Sequence, residues 1–407
     1  MRLGLIKNLA TFGTMPETPH HSLRILHLAS WYPSKIHGTL GNFVKRHISA
    51  ISSVHSGEIW YAAPSPPELP IPQNTHTDCG NFQERIVYFK AQKPVVRGTT
   101  RALLNLATQN DGPPFDVIHL HVAYPAGKAA RKLARRWGIP LVVTEHWTAY
   151  HEEQRNTLPF WRRWSMRQTL KQAQLICPVS EDLARSIQNF GAASRFCVVP
   201  NVVDTELFQP ETAPAHSAEH PFQWLHISSL SDEQKNISGM IRAIQKLRQQ
   251  TAANETFEVQ IVGDGNPEPH QALVDALDLQ DCITVHGEVS LEEVAEKMRT
   301  ADALLLFSRY ENFPCVIPEA WASGIPVLST DVGGIREHLT EDRGELIESE
   351  DEAALAKSML HWMQSPNTFN QEDLRTHAMK HFSMAAVGKA YSDVYREAVE
   401  SMNPLQA

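Results

Sequence analysis

Short apolar runs alternate with segments of helical periodicity along the chain from residue 23 onward. The apolar runs fall at residues 24–29, 59–62, 116–122, 140–144 and 176–180 in the first half, and at residues 224–228, 257–262, 283–286, 303–307 and 326–329 in the second. Strands that alternate with helices form parallel sheets covered by helices. The pattern therefore predicts an α/β fold, in which ligands bind at the carboxyl ends of the strands.

Two domains are expected, because 407 residues exceed the size at which a single hydrophobic core stops growing, about 250–300 residues. The boundary falls near residues 200–204, which a Pro- and Ala-rich stretch follows. We predict a mobile extension at residues 1–22, Rossmann-like doubly wound domains at 23–203 and 204–381 that face each other across a cleft, and a C-terminal segment at 382–407. Helices are predicted at residues 237–249, 273–279, 291–300, 316–322, 352–364 and 382–399.

Charge is distributed unevenly between the two halves. Residues 1–200 contain 23 Lys and Arg against 12 Asp and Glu, whereas residues 201–407 contain 14 against 34. A basic half favours an anionic partner, such as a lipid surface or a phosphate-bearing acceptor. The alternative is a domain that simply has a basic surface.

The cysteines and the apolar runs favour a cytoplasmic location. No run approaches 18 apolar residues, and residues 1–22 lack the pattern of a signal peptide, so neither a membrane span nor secretion is expected. The five cysteines are scattered without zinc-ligand spacing, which favours reduced thiols. They are Cys79, Cys177, Cys197, Cys282 and Cys315.

Several common chemistries lack their sequence signatures. The chain contains no GxGxxG, GxxxxGK[ST] or GxSxG, which argues against dinucleotide oxidoreductases, P-loop NTPases and serine hydrolases. The segment that begins at His151-Glu152 has Arg155 where a zinc metalloprotease helix needs its second histidine. No Asp-x-Asp pair occurs, so the usual carboxylate clamp for a divalent ion on a diphosphate is absent from the sequence.

The most informative segment places two carboxylates, Glu311 and Glu319, after the apolar run at 303–307. A loop and a helix that begins near Pro318 would bring both to the carboxyl edge of a sheet. Ionised carboxylates accept hydrogen bonds from the paired hydroxyls of a sugar or ribose. The spacing leaves open the alternative that Glu311 lies free in a loop and Glu319 merely complements a helix dipole.

At this point the sequence resembles the family-4 retaining glycosyltransferases of GT-B architecture. The family's Glu-x7-Glu motif matches residues 311–319, including Phe313 and Pro314, and residues 200–204 resemble its P-N-G-V-D linker with Val202 in place of Gly. Residues 262–265, 331–337 and 31–33 also match, together with the Gly38–Gly41 loop. The resemblance implies transfer of a sugar from a nucleotide-diphosphate donor. It also implies that the C-terminal helix crosses back onto the first domain.

The resemblance assigns the donor site to the second domain. It implies that Glu319 binds the ribose hydroxyls, that Glu311 binds the donor sugar, and that Lys235 neutralises the leaving diphosphate. The adjoining Asn312, Phe313 and Pro314 complete this donor-binding segment. An Arg that is common in the family is replaced by Ser229, so we expect Lys235 to carry more of the charge or a second cation, Arg309 or Arg336, to compensate.

In the first domain, strand periodicity places His119 and His121 on the same face, with His121 nearer the carboxyl end. His119 is interpreted as structural. The resemblance implies that His121 and His146 reach the donor sugar or the acceptor, and that the loop from Gly38 to Gly41 approaches the diphosphate. An ordinary tight turn is the alternative for that loop.

Two basic segments concern the acceptor. A stripe at helical spacing consists of Lys128, Arg131, Lys132, Arg135 and Arg136, and residues 160–167 mix Trp and Arg as membrane-surface segments do. We hypothesise docking on an anionic leaflet, where a polyprenyl-diphosphate-linked sugar would be the acceptor. Solvated helix faces are the alternative.

The sequence thus predicts a retaining hexosyltransferase with Glu311, His121 and Lys235 as catalytic residues. It is expected to need no metal or other cofactor, to bind no nucleic acid, and to act on a glycan or lipid-linked acceptor in cell-surface polysaccharide biosynthesis, peripherally at the inner face of the membrane. A non-catalytic scaffold of the same fold and a nucleotide-sugar epimerase are the alternatives.

Overall fold

The computed structural model describes residues 6–7, 22–108, 114–210, 220–252, 256–366 and 368–402. The chain divides into two compact units. Unit 1 comprises Met1–Val202 and Met384–Ala407, and unit 2 comprises Val203–Ser383. The sequence placed these divisions at residues 204 and 382.

Each unit is built on one sheet. The strands of unit 1 are β1 (Ile6–Lys7), β2 (Arg24–Ala29), β3 (Ser56–Ser65), β4 (Thr75–Cys79), β5 (Phe82–Lys90), β6 (Val117–His121), β7 (Leu141–Glu145), β8 (Leu175–Pro178) and β9 (Arg195–Cys197). Those of unit 2 are β10 (Phe222–Ser229), β11 (Phe257–Asp264), β12 (Ile283–His286), β13 (Ala303–Leu306), β14 (Val327–Thr330) and β15 (Gly344–Ile347). Their orders are β1-β9-β8-β7-β6-β2-β3-β5-β4 and β12-β11-β10-β13-β14-β15. All pairs are parallel except β4 with β5, which confirms the predicted α/β class.

Helices cover both sheets. Unit 1 contains α1 (Asn42–Ser52), α2 (Val95–Ala107), α3 (Gly127–Trp137), α4 (Glu152–Thr157), α5 (Phe160–Leu170) and α6 (Glu181–Asn189). Unit 2 contains α7 (Asp232–Lys235), α8 (Ile237–Gln250), α9 (Glu268–Ala276), α10 (Leu291–Thr300), α11 (Val316–Ala322), α12 (Glu352–Gln364) and α13 (Gln371–Phe382). The last helix, α14 (Met384–Met402), belongs to unit 1. No helix among the described residues is long and apolar enough to cross a bilayer.

Local chemistry explains where the predicted boundaries were wrong. The strand predicted at 176–180 ends at Pro178, because the Ser180 side chain accepts a hydrogen bond from the Leu183 amide and caps α6. The run at 116–122 ends before Val122, whose φ of +64° leaves the extended region. Strand β1 lies within the predicted mobile extension and pairs with β9, while residues 8–21 lie outside the described residues.

Strand order determines where each unit can hold a ligand. In a doubly wound sheet the crevice lies at the carboxyl ends of the two strands where the winding direction reverses. That point lies between β2 and β6 in unit 1 and between β10 and β13 in unit 2. A ligand of either unit is therefore expected at the loops that follow these four strands.

Helix α14 packs on α1 within unit 1, and the backbones of the two helices approach closely at Gly388. Tyr391 and Tyr395 on α14 are fully buried. A Cβ atom added to Gly388 would lie 2.5 Å from the carbonyl oxygen of Ala50 in α1. The absence of a side chain at Gly388 is thus a condition for this packing.

We expect Gly388→Ala to lower the free energy of unfolding by about 1–3 kcal/mol, because overpacking outweighs the gain in helix propensity. Urea unfolding measures this change. Gly38→Ala is the matched control in the same unit, since no atom lies within 4 Å of its added Cβ. Equal stability of the two variants would contradict the packing argument.

Candidate functional site

The switch point of unit 2 brings Lys235 and Glu311 together. Lys235 ends α7 in the loop after β10, and Glu311 lies in the loop after β13. The Lys235 ammonium forms a salt bridge with Oε1 of Glu311, with only 12% and 7% of the two side chains exposed. Two residues 76 positions apart in sequence are therefore one charged pair at the carboxyl edge of the sheet.

Two neighbouring polar side chains fix the Glu311 carboxylate. Ser308 donates its hydroxyl to Oε1 at 2.9 Å, and the Gln234 amide lies 3.5 Å from Oε2. A carboxylate oxygen can accept more than one hydrogen bond, so Oε2 retains capacity for a ligand hydroxyl. Ser308 and Gln234 were not predicted from the sequence, because neither stands in a recognisable spacing.

Arg309 positions the loop that carries Lys235. Its guanidinium donates to the carbonyl oxygen of Asp232 at 2.6 Å and to Oδ1 of Asn236 at 2.6 Å, and it pairs with Glu350 at 2.8 Å. Its backbone amide donates to the carbonyl of Gln234 at 2.8 Å. Arg309 thus binds the α7 turn rather than standing free as the compensating cation that the sequence suggested.

The other suggested cation, Arg336, is also engaged. Its Nε donates to Oδ1 of Asp331 at 2.6 Å, and its side chain is 66% exposed. Ser229 occupies the last position of β10, and its carbonyl accepts the hydroxyl of Ser228 at 2.9 Å. Of the cations considered from sequence, Lys235 is the one that contacts Glu311.

The Glu311 backbone is held by a close approach of the loop after β14. Gly333 has φ of +57°, and a Cβ added there would lie 1.9 Å from the carbonyl oxygen of Glu311. The amide of Gly334 donates to the carbonyl of Asn312 at 2.7 Å. Phe313 is buried with its ring 4.9 Å from that of His338, so it anchors the segment, and Pro314 is half-buried.

Glu319 lies in the first turn of α11 and is 2% exposed. The sequence placed it with Glu311 at the rim of the sheet. The structure places both after β13 and buries both, with Glu319 on the helix and Glu311 in the loop. A buried carboxylate requires polar partners.

The switch point of unit 1 contains a cluster of buried imidazoles. His27 on β2 lies beside His119 on β6, and Nδ1 of His27 is 3.0 Å from Nε2 of His121. His121 ends β6 and is fully buried. Within the described residues, Nδ1 of His121 and Nε2 of His27 are buried without a hydrogen-bond partner. The sequence predicted His121 at this edge but gave no sign of His27.

His119 takes the structural place that the sequence assigned to it. Its Nδ1 is 2.7 Å from the Tyr395 hydroxyl, and its Nε2 is 2.7 Å from the Thr144 hydroxyl. Thr144 in turn contacts the Tyr391 hydroxyl at 2.9 Å. The network ties β6 and β7 to α14 through fully buried groups.

The three imidazoles of His27, His119 and His121 are close enough to consider as a metal site, since one nitrogen from each lies within 4.8 Å of the others. Both nitrogens of His119 are nevertheless in hydrogen bonds. Nδ1 of His27 and Nε2 of His121 are hydrogen-bonded to each other. Two free nitrogens are fewer than the ligands of a typical zinc site. The cluster fits a hydrogen-bond network better than a metal ion.

His146 lies just after β7, with its ring 4.3 Å from that of Phe43 and 5.0 Å from that of His47. Burial chiefly, with the neighbouring His47, lowers the pKa of His146 well below its usual value. The preceding Glu145 accepts hydrogen bonds from the Ala123 amide at 2.7 Å and from the Tyr150 hydroxyl. His146 is thus held neutral beside the same edge as His121.

The two glycines of the first loop differ. Gly41 has φ of +75°, and an added Cβ would lie 2.5 Å from the carbonyl oxygen of Trp31, so the loop requires glycine there. Gly38 is exposed with nothing within 4 Å of an added Cβ. The need for glycine at Gly41 is explained by the Trp31 backbone, and Gly38 leaves open space around its Cα atom. The approach of this loop to a diphosphate stays a prediction.

We expect Gly333→Ala to displace the Glu311 loop, because the added Cβ meets backbone and the positive φ disfavours alanine. The free energy of unfolding should fall by more than about 1 kcal/mol. Thermal unfolding measures the change, with Gly287→Ala as control, since nothing lies within 4 Å of its added Cβ. An unchanged melting temperature for Gly333→Ala would show that the loop can relax without cost.

Stability should fall as the solution is acidified below pH 6.5. Burial lowers the pKa of His27 to about 3, of His47 to about 4 and of His226 to about 4. The unfolded chain binds protons at these histidines from pH 6.5 downward while the folded chain does not, so each contributes up to about 1.4 kcal/mol of destabilisation per pH unit.

One carboxyl opposes this trend. Burial raises the pKa of Glu145 to about 7, so between about pH 4.5 and 7 its proton binding favours the folded state on acidification. Because three histidines lower the stability of the folded state on acidification and one carboxyl raises it, we expect a net loss of stability. Urea unfolding at a series of pH values measures this net change. Stability that is flat or rising between pH 6.5 and 5 would contradict the histidine argument.

Comparisons with known proteins identify a family in each half of the chain. The family described as "Glycosyltransferase Family 4" matches residues 59–207, and the family "Glycosyl transferases group 1" matches residues 221–365. The match to residues 59–207 lies within unit 1 except for its last five residues, and the match to residues 221–365 lies within unit 2.

Two curated relatives illustrate the similarity of this chain to known sequences. The chain is 25% identical over 359 residues to the MMP alpha-(1->4)-mannosyltransferase of Mycolicibacterium hassiacum, covering 83% of this chain and 84% of that protein. It is 28% identical over 262 residues to the putative colanic acid biosynthesis glycosyltransferase WcaL of Escherichia coli, covering 62% and 63%.

A solved structure with the same fold is that of Anabaena HepE in complex with UDP and glucose, with a TM-score of 0.70 at 15% identity. The match covers 92% of this chain and 99% of that one. With the Glu-x7-Glu segment at the switch point of its second sheet, the chain belongs to the family-4 glycosyltransferases of GT-B fold.

Proposed function

We propose that this glycosyltransferase transfers a hexose from a nucleotide-diphosphate donor with retention of anomeric configuration and without a metal ion. The acceptor is a glycan or a polyprenyl-diphosphate-linked glycan in cell-surface polysaccharide biosynthesis. The observation that carries the proposal is the buried Lys235–Glu311 pair, which joins a cation for the diphosphate to a carboxylate for the sugar.

Lys235 supplies the electrostatic part of the reaction. The bond between the sugar and the diphosphate breaks, and negative charge develops on the leaving phosphate. A fixed cation in a site with little water stabilises that charge more in the transition state than in the ground state. The sequence contains no Asp-x-Asp clamp, and this supports charge stabilisation by Lys235 rather than by a divalent ion.

Glu311 supplies positioning rather than covalent catalysis. Its Oε1 is already occupied by Lys235 and Ser308, which leaves Oε2 to accept a hydroxyl of the donor sugar. A carboxylate neutralised by a lysine is a poor nucleophile. The arrangement supports same-face attack by the acceptor hydroxyl, with the leaving phosphate taking its proton, as is usual for the family.

The remaining donor contacts follow the family pattern. Glu319 binds the ribose hydroxyls, and Asn312, Phe313 and Pro314 shape the segment between the two carboxylates. In unit 1, the family pattern assigns the loop from Gly38 to Gly41 to the diphosphate, and His121 and His146, which burial keeps neutral, to the donor sugar or the acceptor. A neutral imidazole donates one hydrogen bond and accepts another, as hydroxyl recognition requires.

The relatives suggest which donor and acceptor to try first. The HepE structure is that of a complex with UDP and glucose, so UDP-glucose is the first donor to test. The mannosyltransferase relative suggests nucleotide-diphosphate mannose donors next. The relative named for colanic acid biosynthesis supports a polysaccharide intermediate as acceptor.

The first test is calorimetric titration of UDP, GDP and ADP in the presence of EDTA. We expect one nucleotide to bind saturably and Lys235→Ala to weaken it roughly 10- to 100-fold, since hydrogen bonds to charged groups contribute about 1.5–3 kcal/mol. Lys357→Ala is the matched control, because Lys357 is exposed on α12. Binding that requires a divalent ion would contradict the metal-independent site.

Turnover separates this proposal from its alternatives. Glu311→Gln should greatly reduce sugar transfer and leave the fold intact. The replacement of the family Arg by Ser229 favours a non-catalytic scaffold as the second candidate, and failure of all three nucleotides to bind would support it. Product formed from the donor alone, without acceptor, would instead indicate an epimerase.

A further inference from the structure

Three helices of unit 1 carry charges of one sign. Helices α2, α3 and α5 contain ten Lys and Arg residues and no Asp or Glu. In the part of the chain that the structure describes, none of these ten forms a salt bridge, although ion pairs occur on neighbouring α4 and α6. Lys128, Lys132 and Arg135 are exposed on α3. Such a cluster repels itself unless an external anion neutralises it.

The first turns of α5 place aromatic side chains on the same surface. Phe160 is 77% exposed, Trp164 is 60% exposed and Trp161 is 38% exposed, whereas Met166 and Leu170 on the same helix are buried. Large apolar side chains that are exposed together mark an interaction site more often than scattered ones do. Aromatic rings among cations are the composition of segments that lie at a membrane interface.

Two grooves connect these features. One of about 510 Å³ lies between α2, α3 and α5 and is lined by Arg97, Lys128 and Arg135 together with Trp161 and Trp164. The other, of about 1150 Å³, shares Arg97 and Trp161 with the first. Its walls include Pro64 at the end of β3, Pro66 and Pro67 after that strand, Pro94 after β5, and Tyr124 after β6.

We propose that this face of unit 1 docks on an anionic lipid leaflet. We define it as the α3–α5 surface, consisting of Phe160, Trp161, Trp164 and the exposed cations of α3. The aromatic side chains enter the boundary between headgroups and acyl chains, and the cations lie against the lipid phosphates. The apolar walls of the wider groove favour hydrocarbon over the polar edges of nucleic-acid bases.

This docking goes beyond the proposed transfer reaction and does not rest on it, since lipid binding is measured without a donor. It defines how the enzyme would reach a lipid-linked acceptor, which is confined to the leaflet. A membrane interaction that combines charge with apolar insertion responds to two separate perturbations, salt and loss of aromatic side chains.

The experiment is co-sedimentation of the full chain with vesicles of phosphatidylcholine alone and with added phosphatidylglycerol. We expect binding only with phosphatidylglycerol, and weaker binding when the salt rises from about 0.1 M to about 1 M, because the Debye length falls from about 10 Å to about 3 Å. A protein that stays in the supernatant at low salt with anionic vesicles would overturn the proposal.

Matched variants locate the surface. Replacing Lys128, Lys132 and Arg135 by Ser should weaken binding about 100-fold. The control triple replaces the exposed Lys357, Lys380 and Lys389 by Ser, which changes the net charge equally outside the α3–α5 surface. An equal loss of vesicle affinity in the two triple variants would show a response to net charge alone and would overturn the assignment.

The aromatic contribution has its own control. Phe160→Ser with Trp164→Ser should lower vesicle affinity and reduce the blue shift of tryptophan fluorescence on binding, with Trp161 as the remaining tryptophan of the surface. Leu291→Ser with Met379→Ser, also at exposed apolar positions, should do neither. Circular dichroism verifies that each variant folds. The protein could instead bind a single-stranded oligonucleotide more tightly than anionic vesicles and lose that binding when Lys128, Lys132 and Arg135 are replaced by Ser. That result would assign the surface to nucleic acid and overturn the proposal.

Discussion

The parallel order of the strands is the constraint on which the sites depend. Parallel strands present their carboxyl ends at one edge, and reversal of the winding direction opens a crevice there. In unit 2 this geometry brings together the loops after β10 and β13, which are distant in sequence. The Lys235–Glu311 ion pair exists because the fold juxtaposes these two loops, and Arg309 and Gly333 then fix their backbones.

Burial of polar groups is the cost of this arrangement in both units. A buried ion pair is rarely a net source of stability, because desolvation offsets the Coulombic attraction. The imidazole cluster of unit 1 is likewise kept neutral by burial and satisfied in part by its own hydrogen bonds. Stability alone does not explain either group, since apolar residues would fill the same space at less cost.

The sequence predicted the features that local patterns determine. Apolar runs located strands such as β6 and β13, and period-two spacing placed His119 and His121 on one face. The hairpin of β4 and β5 was not predicted, because Gln83, Glu84 and Arg85 interrupt any apolar pattern in an edge region. His27 was not predicted as a partner of His121, because the register of β2 with β6 is a tertiary property. The bracing role of Arg309 has no sequence signal, since a guanidinium can hold backbone carbonyls or a ligand equally well.

The separation of charge along the chain has a practical consequence for purification. Residues 1–200 carry an excess of cations within a chain whose formal net charge is −9. An ion-exchange resin responds to the local patch that faces it rather than to the net value. The protein should therefore be retained by cation exchangers through the helices of unit 1 as well as by anion exchangers through the acidic remainder, and its isoelectric point is a poor guide to its chromatography.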